Sequence, residues 1–540
     1  MTTMPWLPSY REFGLRVTIP VDTHRSVVHL LDDAMARFAG RIAFRAADHS
    51  LTYADVDRLA NDFCAWLQHA AGVRRGDRVA VMMPNGLAFP IALAGILRAG
   101  AVQVNVNPLY TARELEHQLG DAGCEVLVVF QGALPALVEA LPRTRLRVVV
   151  TTSLGEPTRV EPATLPMATS FGAALAAGAA LRRVPVEVDG DDLLFLQYTG
   201  GTTGRSKGAA LTHRNLVANV AQFKAMVPDA LREGEEVVVT AIPLYHIFAL
   251  MVNFLTYFSV GAENWLVADP RDIDGLVDVM ARARPTVFMG VNTLYAALTA
   301  HPRIHDVDFS RLRFAGGGGA AVVAATSEKW CAVTGSPIRE GYGLSETSPV
   351  LTLNPMAVAG FTGTTGLPLP NTHIRLLDAS GVDVPPGHAG EICVSGPQVM
   401  RGYWNQPEAD ALAFTPDGYF RTGDVGQFDE RGFLKVVDRL KDMIIVSGFN
   451  VYPNEVEAVA TECPGVLECA CVGVPDDRTG EAVRLYVVKA AGATLTAEDV
   501  VAHCRRAMTA YKVPKGVLLV AALPKSPVGK ILRRELRQVD

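Results

Sequence analysis

The chain has 540 residues, 49% of them hydrophobic and 20% charged; that length predicts two or more domains, and that composition predicts a large buried core and excludes a disordered chain. Its 50 Lys and Arg stand against 56 Asp and Glu, a net charge of −6, which excludes a protein built for general binding to nucleic-acid phosphates. Eight cysteines are too few for a disulfide scaffold, and Cys469 and Cys471 alternate rather than forming a CxxC, so reduced structural thiols are expected and no zinc pattern is present.

Residues 1–20 carry Arg11, Glu12 and Arg16 without an apolar core and do not read as a signal peptide. From residue 79 strand and helix patterns alternate: a strand at 79–82, a helix at 87–98, a strand at 102–106, a helix opened by the capping-box sequence Thr111-Ala-Arg-Glu114, and a strand at 125–130. Short loops between them imply a parallel or mixed sheet covered on both faces. Further strands are expected at 147–150, 193–197, 237–241 and 312–315, and the Ala-rich stretch 167–181 reads as helix or loop filler. The apolar runs 87–97 and 247–260, broken by Pro90 and Asn253, fall short of the ~20 residues that cross a bilayer and read as core. A boundary is expected at Asp438-Arg-Leu-Lys-Asp442, between a β-rich run and a fresh αβ pattern at 455–460, 467–472, 483–488 and 497–508. The chain is thus expected to divide into a large α/β domain, 1–438, with mixed and parallel sheets plus a β-rich part, and a small mobile α+β domain, 439–540.

One segment carries chemistry on its face. Tyr198-Thr-Gly-Gly-Thr-Thr-Gly-Arg-Ser-Lys-Gly208 follows an apolar strand and precedes a helical pattern beginning near His213. Its glycines permit backbone conformations that turn several N–H groups toward one anion. Thr199, Thr202, Thr203 and Ser206 add hydroxyl donors, and Arg205 and Lys207 add charge. The set suits a polyphosphate, and its spacing is not that of a Walker A loop.

This loop resembles the signature loop of the adenylate-forming superfamily, which includes acyl-CoA synthetases, beetle luciferases and peptide-synthetase adenylation domains. Further motifs similar to the family's follow in its order: Pro243-Leu-Tyr-His-Ile-Phe248, Glu340-Gly-Tyr-Gly-Leu-Ser-Glu346, Gly418-Tyr-Phe-Arg-Thr-Gly-Asp424, Asp438-Arg-Leu-Lys441 and Pro524-Lys-Ser-Pro-Val-Gly-Lys530. The resemblance runs from about residue 25 to the end. With Gly290-Val-Asn-Thr-Leu294, the wording is most similar to bacterial medium- and long-chain fatty acyl-CoA synthetases.

The resemblance implies a two-step ligase: a carboxylate attacks the α-phosphorus of ATP to give acyl-adenylate and pyrophosphate, and coenzyme A then displaces AMP. It implies nucleotide contacts from Tyr198, Thr199, Gly200, Gly201, Thr202, Thr203, Gly204 and Lys207. It places Tyr342 against adenine, with Gly341 and Gly343 passing close to it, and gives Ser345 a phosphate contact. It makes Glu346 the magnesium ligand, Asp424 the acceptor of the ribose hydroxyls and Arg439 a further nucleotide contact. Lys530 is then the catalytic lysine bridging acyl carboxylate and α-phosphate, Lys441 the hinge, and Ser447, Gly448 and Phe449 the coenzyme A channel. His246 guards the acyl pocket or orients the carboxylate, unless it is a satisfied core histidine. Val291 forms a pocket wall, and Gly316, Gly317 and Gly318 a floor without side chains, unless that run is a packing turn. The acyl motif lacks the Asp with which amino-acid-activating relatives pair a substrate ammonium, and a buried unpaired ammonium is costly, so an acid without an α-amino group is expected.

The implied cofactors are ATP, Mg2+ and coenzyme A, with no nucleic-acid partner and a cytoplasmic location. Peripheral contact with the inner face of the membrane and homodimerisation stay open. The alternatives are an acyl-AMP ligase that loads a carrier protein, a luciferase-like activity within the same chemistry, and a non-catalytic acyl or nucleotide sensor.

Overall fold

A computed structural model describes residues 4–160, 165, 167–199, 206–447, 449–476, 478–526, 529 and 531–537. The expected alternation forms a seven-stranded sheet in the order Ala168–Ser170, Val148–Thr152, Val126–Phe130, Arg78–Met82, Val102–Asn105, Leu193–Thr199 and Lys207–Thr212. All neighbours run parallel except the last pair, which is antiparallel. Its central strands are buried nearly throughout, as a sheet covered on both faces requires. The helix Ala88–Arg98 is buried along its whole length; Pro90 falls in its first turn, where backbone N–H groups have no intrahelical acceptor. The capping box forms as read: Thr111 N donates to Glu114 Oε2 at 2.8 Å and Glu114 N to Thr111 Oγ1 at 3.4 Å.

A second, nine-stranded sheet runs Leu367–Pro368, Val350–Leu353, Ile338–Gly343, Phe314–Gly317, Val287–Gly290, Val237–Thr240, Glu263–Leu266, Ile42–Ala46 and His49–Thr52. The apolar run at 247–260 packs against it as a π-helical segment, Ala249–Thr256, buried at every position. Inside this core Asn253 Nδ2 donates to Thr240 Oγ1 at 3.0 Å, while its Oδ1 finds no partner among the described residues. A four-stranded antiparallel sheet, His373–Leu377, Gly390–Ser395, Phe420–Phe428 and Leu434–Arg439, supplies the β-rich part. A five-stranded sheet built within residues 444–519, with the helices Pro453–Thr461 and Ala497–Ala507, completes the α/β architecture as a smaller α+β unit with its own apolar core.

Two readings are refined. The helical pattern read near His213 is the helix His213–Met226, capped by Thr212, with the strand Lys207–Thr212 between it and the glycine-rich segment. The Ala-rich stretch holds the short strand Ala168–Ser170 and the helix Phe171–Ala179. Its small residues let that helix lie against the helix Tyr53–His69: a Cβ built at Gly178 would stand 1.9 Å from the Asp62 carbonyl oxygen. Backbone cannot yield as a side-chain tip does, so Gly178→Ala should force the two helices apart. We expect a loss of about 1–3 kcal/mol, read as a lower urea midpoint at unchanged slope.

Candidate active site

The strands Leu193–Thr199 and Lys207–Thr212 pair with Tyr198 opposite Gly208 and Thr199 opposite Lys207. Residues 200–206 therefore connect two antiparallel partners; Gly200, Gly201, Thr202, Thr203, Gly204 and Arg205 lie outside the described residues. The Tyr198 side chain belongs to the apolar core, where its hydroxyl donates to Asp121 Oδ2 at 2.5 Å. Its ring lies under Gly208, where a Cβ would stand 3.0 Å from it.

Lys207, at the start of the second strand, has its ammonium 5.2 Å from the centroid of the Tyr403 ring, a cation–π arrangement. The same Tyr403 donates its hydroxyl to Glu346 Oε1 at 2.9 Å. Backbone bonds fix both ends of this contact: Trp404 N donates to Gly208 O at 2.8 Å and Met400 N to Glu346 O at 2.7 Å. Glu346 sits in the short 3-10 turn Ser345–Thr347 and is 8% exposed; burial pushes its carboxyl above the usual range. A buried carboxylate calls for a counter-charge, and a divalent cation shared with phosphate oxygens supplies one. Among the described residues no group of three or more His, Cys, Asp or Glu could hold a metal.

Tyr342, in the strand Ile338–Gly343, donates its hydroxyl to Asp424 Oδ2 at 2.6 Å, and Arg439 Nε stands 3.2 Å from Asp424 Oδ1. Asp424 and Arg439 are cross-strand partners in the four-stranded sheet, so two sheets meet at this carboxylate, itself 5% exposed. The glycines beside Tyr342 are explained by packing: a Cβ at Gly343 would meet the Pro349 carbonyl oxygen at 1.9 Å, and one at Gly341 would stand 3.1 Å from both Thr352 O and Leu353 Cδ1. Glu340 lies in the same strand. It is buried, accepts from Val322 N at 3.2 Å, and burial raises its pKa to about 8.

On the acyl side, Pro243–Phe248 is tied to the phosphate-loop strand by a buried amide chain. Asn105 Nδ2 donates to Gln197 Oε1 at 2.9 Å, and Gln197 Nε2 donates to Tyr245 O at 3.1 Å. His246 is half-buried and its Nδ1 accepts from Phe248 N at 3.3 Å, which leaves the proton of a neutral ring on Nε2. Gly316 and Gly317 belong to the strand Phe314–Gly317, and the space their side chains lack is filled. A Cβ would meet Met289 Sδ at 2.3 Å in the first, and Val322 Cγ2 and Ile338 Cγ2 at 2.6 and 2.8 Å in the second. At Gly318, also buried, a Cβ would make ordinary contacts, with Gly341 O at 3.4 Å and Phe248 at 3.5 Å. Val291 caps the helix Asn292–Ala300, and a Cβ at Gly529 would lie 3.3 Å from Val291 Cγ2 and 3.0 Å from Thr293 Oγ1. Gly529 therefore lies against the segment Gly290–Leu294. Lys530 and Gly448 lie outside the described residues.

Lys441 is exposed just beyond the strand Leu434–Arg439. Beside it the buried Asp438 accepts from Asn454 N at 2.8 Å and faces Arg533 at 3.6 Å, while Arg533 also binds Glu457 at 2.7 Å. Ser447, at φ +51°, turns the hairpin between Ile444–Val446 and Phe449–Val451. Phe449 is 56% exposed and stacks on Tyr511 at 4.9 Å. Tyr403, Gln197 and Glu340 carry none of the roles read from the motifs. A lone Gly-Tyr 57 residues from Glu346 gives no periodic or spacing signal; only the fold joins them.

A glycine-rich connection at a sheet edge, a buried carboxylate beside a lysine and a second carboxylate bracketed by Tyr and Arg define a nucleotide-binding α/β enzyme. The family described as AMP-binding enzyme matches residues 31–404, and the AMP-binding enzyme C-terminal domain matches 455–530; the chain belongs to this AMP-binding, adenylate-forming family. It is 46% identical to a long-chain-fatty-acid–CoA ligase of Escherichia coli O6:H1, over 98% of this chain and 97% of the relative. It is 39% identical to a feruloyl-CoA synthase of an Amycolatopsis species, over 92% and 95%. Among solved structures, ATP-bound MatB of Rhodopseudomonas palustris matches with a TM-score of 0.84 and 32% identity, over 95% of this chain and 98% of that one.

Glu340 gives a signed pH prediction. Its carboxyl titrates near 4.5 in the unfolded chain and near 8 in the fold. Between those values the native state holds a proton that the unfolded state has released, so stability falls as pH rises through the interval. Glu340→Gln should flatten that slope by up to one proton, measured by urea unfolding across pH 5–8.

Proposed function

We propose that the enzyme is an ATP-dependent fatty-acid–CoA ligase acting through acyl-AMP, with the roles of its residues as follows. Lys207 and the donors of residues 199–206 hold the triphosphate, Ser345 adds a hydroxyl, and Glu346 holds Mg2+. When bound, that ion neutralises phosphate charge and screens the approach of an anionic acid. Asp424 accepts both ribose hydroxyls, a task for a two-oxygen acceptor paired with Arg439 and oriented by Tyr342. The Tyr342 ring lies along the adenine. An apolar acid enters past Val291 and Gly318, and His246 orients its carboxylate through Nε2. One carboxylate oxygen attacks the α-phosphorus, the bond to the leaving pyrophosphate breaks, and Lys530 bridges the two reacting groups, a flexible point charge with three donors.

The domain boundary lies at 438/439. The smaller domain turns about Lys441 after the first step, withdraws Lys530 and brings Ser447, Gly448 and Phe449 to the pantetheine path. The coenzyme A thiolate then attacks the acyl carbonyl carbon and AMP leaves. The observation that carries this reading is the meeting of Glu346, Tyr403 and Lys207 beside the phosphate loop, with the Tyr342–Asp424–Arg439 set completing a nucleotide site. The names of the similar ligases support a long-chain acid as substrate. We place the enzyme in the cytoplasm, with peripheral contact at the inner face of the membrane, from which an apolar acid is delivered. No described helix is long and apolar enough to cross a membrane.

The test is a mass-spectrometric assay with ATP, Mg2+ and short, medium, long and aromatic acids, with and without coenzyme A. Acyl-CoA from straight-chain acids is expected, only when coenzyme A is present. Acyl-adenylate that persists despite coenzyme A would favour loading of another acceptor, and no adenylate from any acid would favour a sensor. Lys530→Ala should slow adenylate formation at least about 100-fold; formation at the native rate would overturn the mechanism.

A further inference from the structure

We propose that Tyr403 is a positioning residue of the first half-reaction, holding the metal-binding carboxylate and the phosphate-loop lysine in one arrangement. The inference rests on the assignment of Glu346 to Mg2+ given above. Tyr403 touches both groups: its hydroxyl donates to Glu346 Oε1 at 2.9 Å and its ring lies 5.2 Å from the Lys207 ammonium. It belongs to a segment bound to both elements through the backbone. Tyr403 bridges to Ala209, Trp404 N donates to Gly208 O, and Met400 N donates to Glu346 O. Its own N–H is held by Asp410 Oδ1 at 2.7 Å, so the ring cannot drift without breaking a ladder.

The hydroxyl occupies one carboxylate oxygen and fixes the plane of the group, which sets the direction in which the other oxygen meets a cation. The ring does a separate task. It offers its face to Lys207, holding a long side chain, otherwise free to rotate, beside the phosphate connection. A purely structural tyrosine would need neither contact.

The two tasks separate by substitution. Tyr403→Phe keeps the ring and its volume and removes only the hydroxyl; Tyr403→Leu removes both. Partners of a metal-ligating group cost about 10–100-fold in metal affinity when lost. Tyr403→Phe should therefore raise the Mg2+ concentration needed for binding of a non-hydrolysable ATP analogue about 10-fold, with the metal-free affinity for that analogue unchanged. Tyr403→Leu should weaken the metal-free affinity as well. Binding is read by calorimetry with Mg2+ titrated at fixed nucleotide, beside a melting curve for each variant.

Glu346→Gln is the companion variant. If it raises the Mg2+ requirement and Tyr403→Phe does not, this inference is overturned and the Glu346 assignment stands. If Glu346→Gln leaves the requirement unchanged, both are overturned. A Tyr403→Phe enzyme whose melting temperature falls while its Mg2+ requirement stays native would show a structural role only and overturn the inference.

Discussion

The constraint on which the site depends is the cost of keeping carboxylates out of water beside a polyanion. Glu346 and Asp424 are each less than a tenth exposed, and the nucleotide proposed to bind beside them brings negative charge of its own. An isolated buried carboxylate neutralises itself by taking up a proton. This fold gives each one a fixed partner instead. Asp424 has a phenol on one oxygen and a guanidinium on the other. Glu346 has a phenol and, among the described residues, no ion pair with a cationic side chain, an asymmetry that suits the proposed tasks: an acceptor for neutral hydroxyls at the first, a cation ligand at the second. Glu340 shows the other solution, a buried carboxyl that bonds one backbone N–H and stays protonated up to about pH 8.

Holding such partners needs rigid elements, and the sheets supply them by close approach of backbone to backbone. Gly343 has no room for a Cβ because Pro349 lies against it, and Gly316 and Gly317 give their space to Met289, Val322 and Ile338. The glycines after residue 315 thus tighten the sheet beneath the site, and Gly318, also buried, is the one of these three where a Cβ would meet no more than ordinary contact. Tyr295 locks the same strand, donating to Gly316 O at 2.8 Å.

What could be read from the sequence divides along the same line. The alternation at 79–130, the Thr111 capping box and the αβ pattern after 442 are local signals, set by periodicity and cap chemistry within a few residues, and the structure realises them. The ordered motifs reached the family and the elements that surround the site. The strand Lys207–Thr212 escaped because a short apolar run beside a glycine-rich stretch does not distinguish a hairpin from a helix start. Tyr403, Gln197 and Glu340 escaped for a different reason. Each acts through a contact with a distant segment, and a lone tyrosine, glutamine or glutamate gives a sequence no period from which to infer its partner.

The hairpin has a consequence for how anions are held. Many phosphate sites draw on a helix N-terminus, whose unpaired N–H groups and dipole favour negative charge. Here Thr199 and Lys207 are antiparallel partners and the next helix begins only at His213, so no helix terminus directly follows the loop. Side chains such as Lys207 then add to whatever positive potential the loop supplies, and side chains lose conformational entropy when fixed. Lys207 on the Tyr403 ring is the place where that ordering is built in before substrate arrives. The segment that carries Tyr403 is laddered to the strand after the loop and to the turn that carries Glu346. Lys207 and Glu346, the proposed phosphate and metal groups, thus share one scaffold, so a shift of either would drag the other with it.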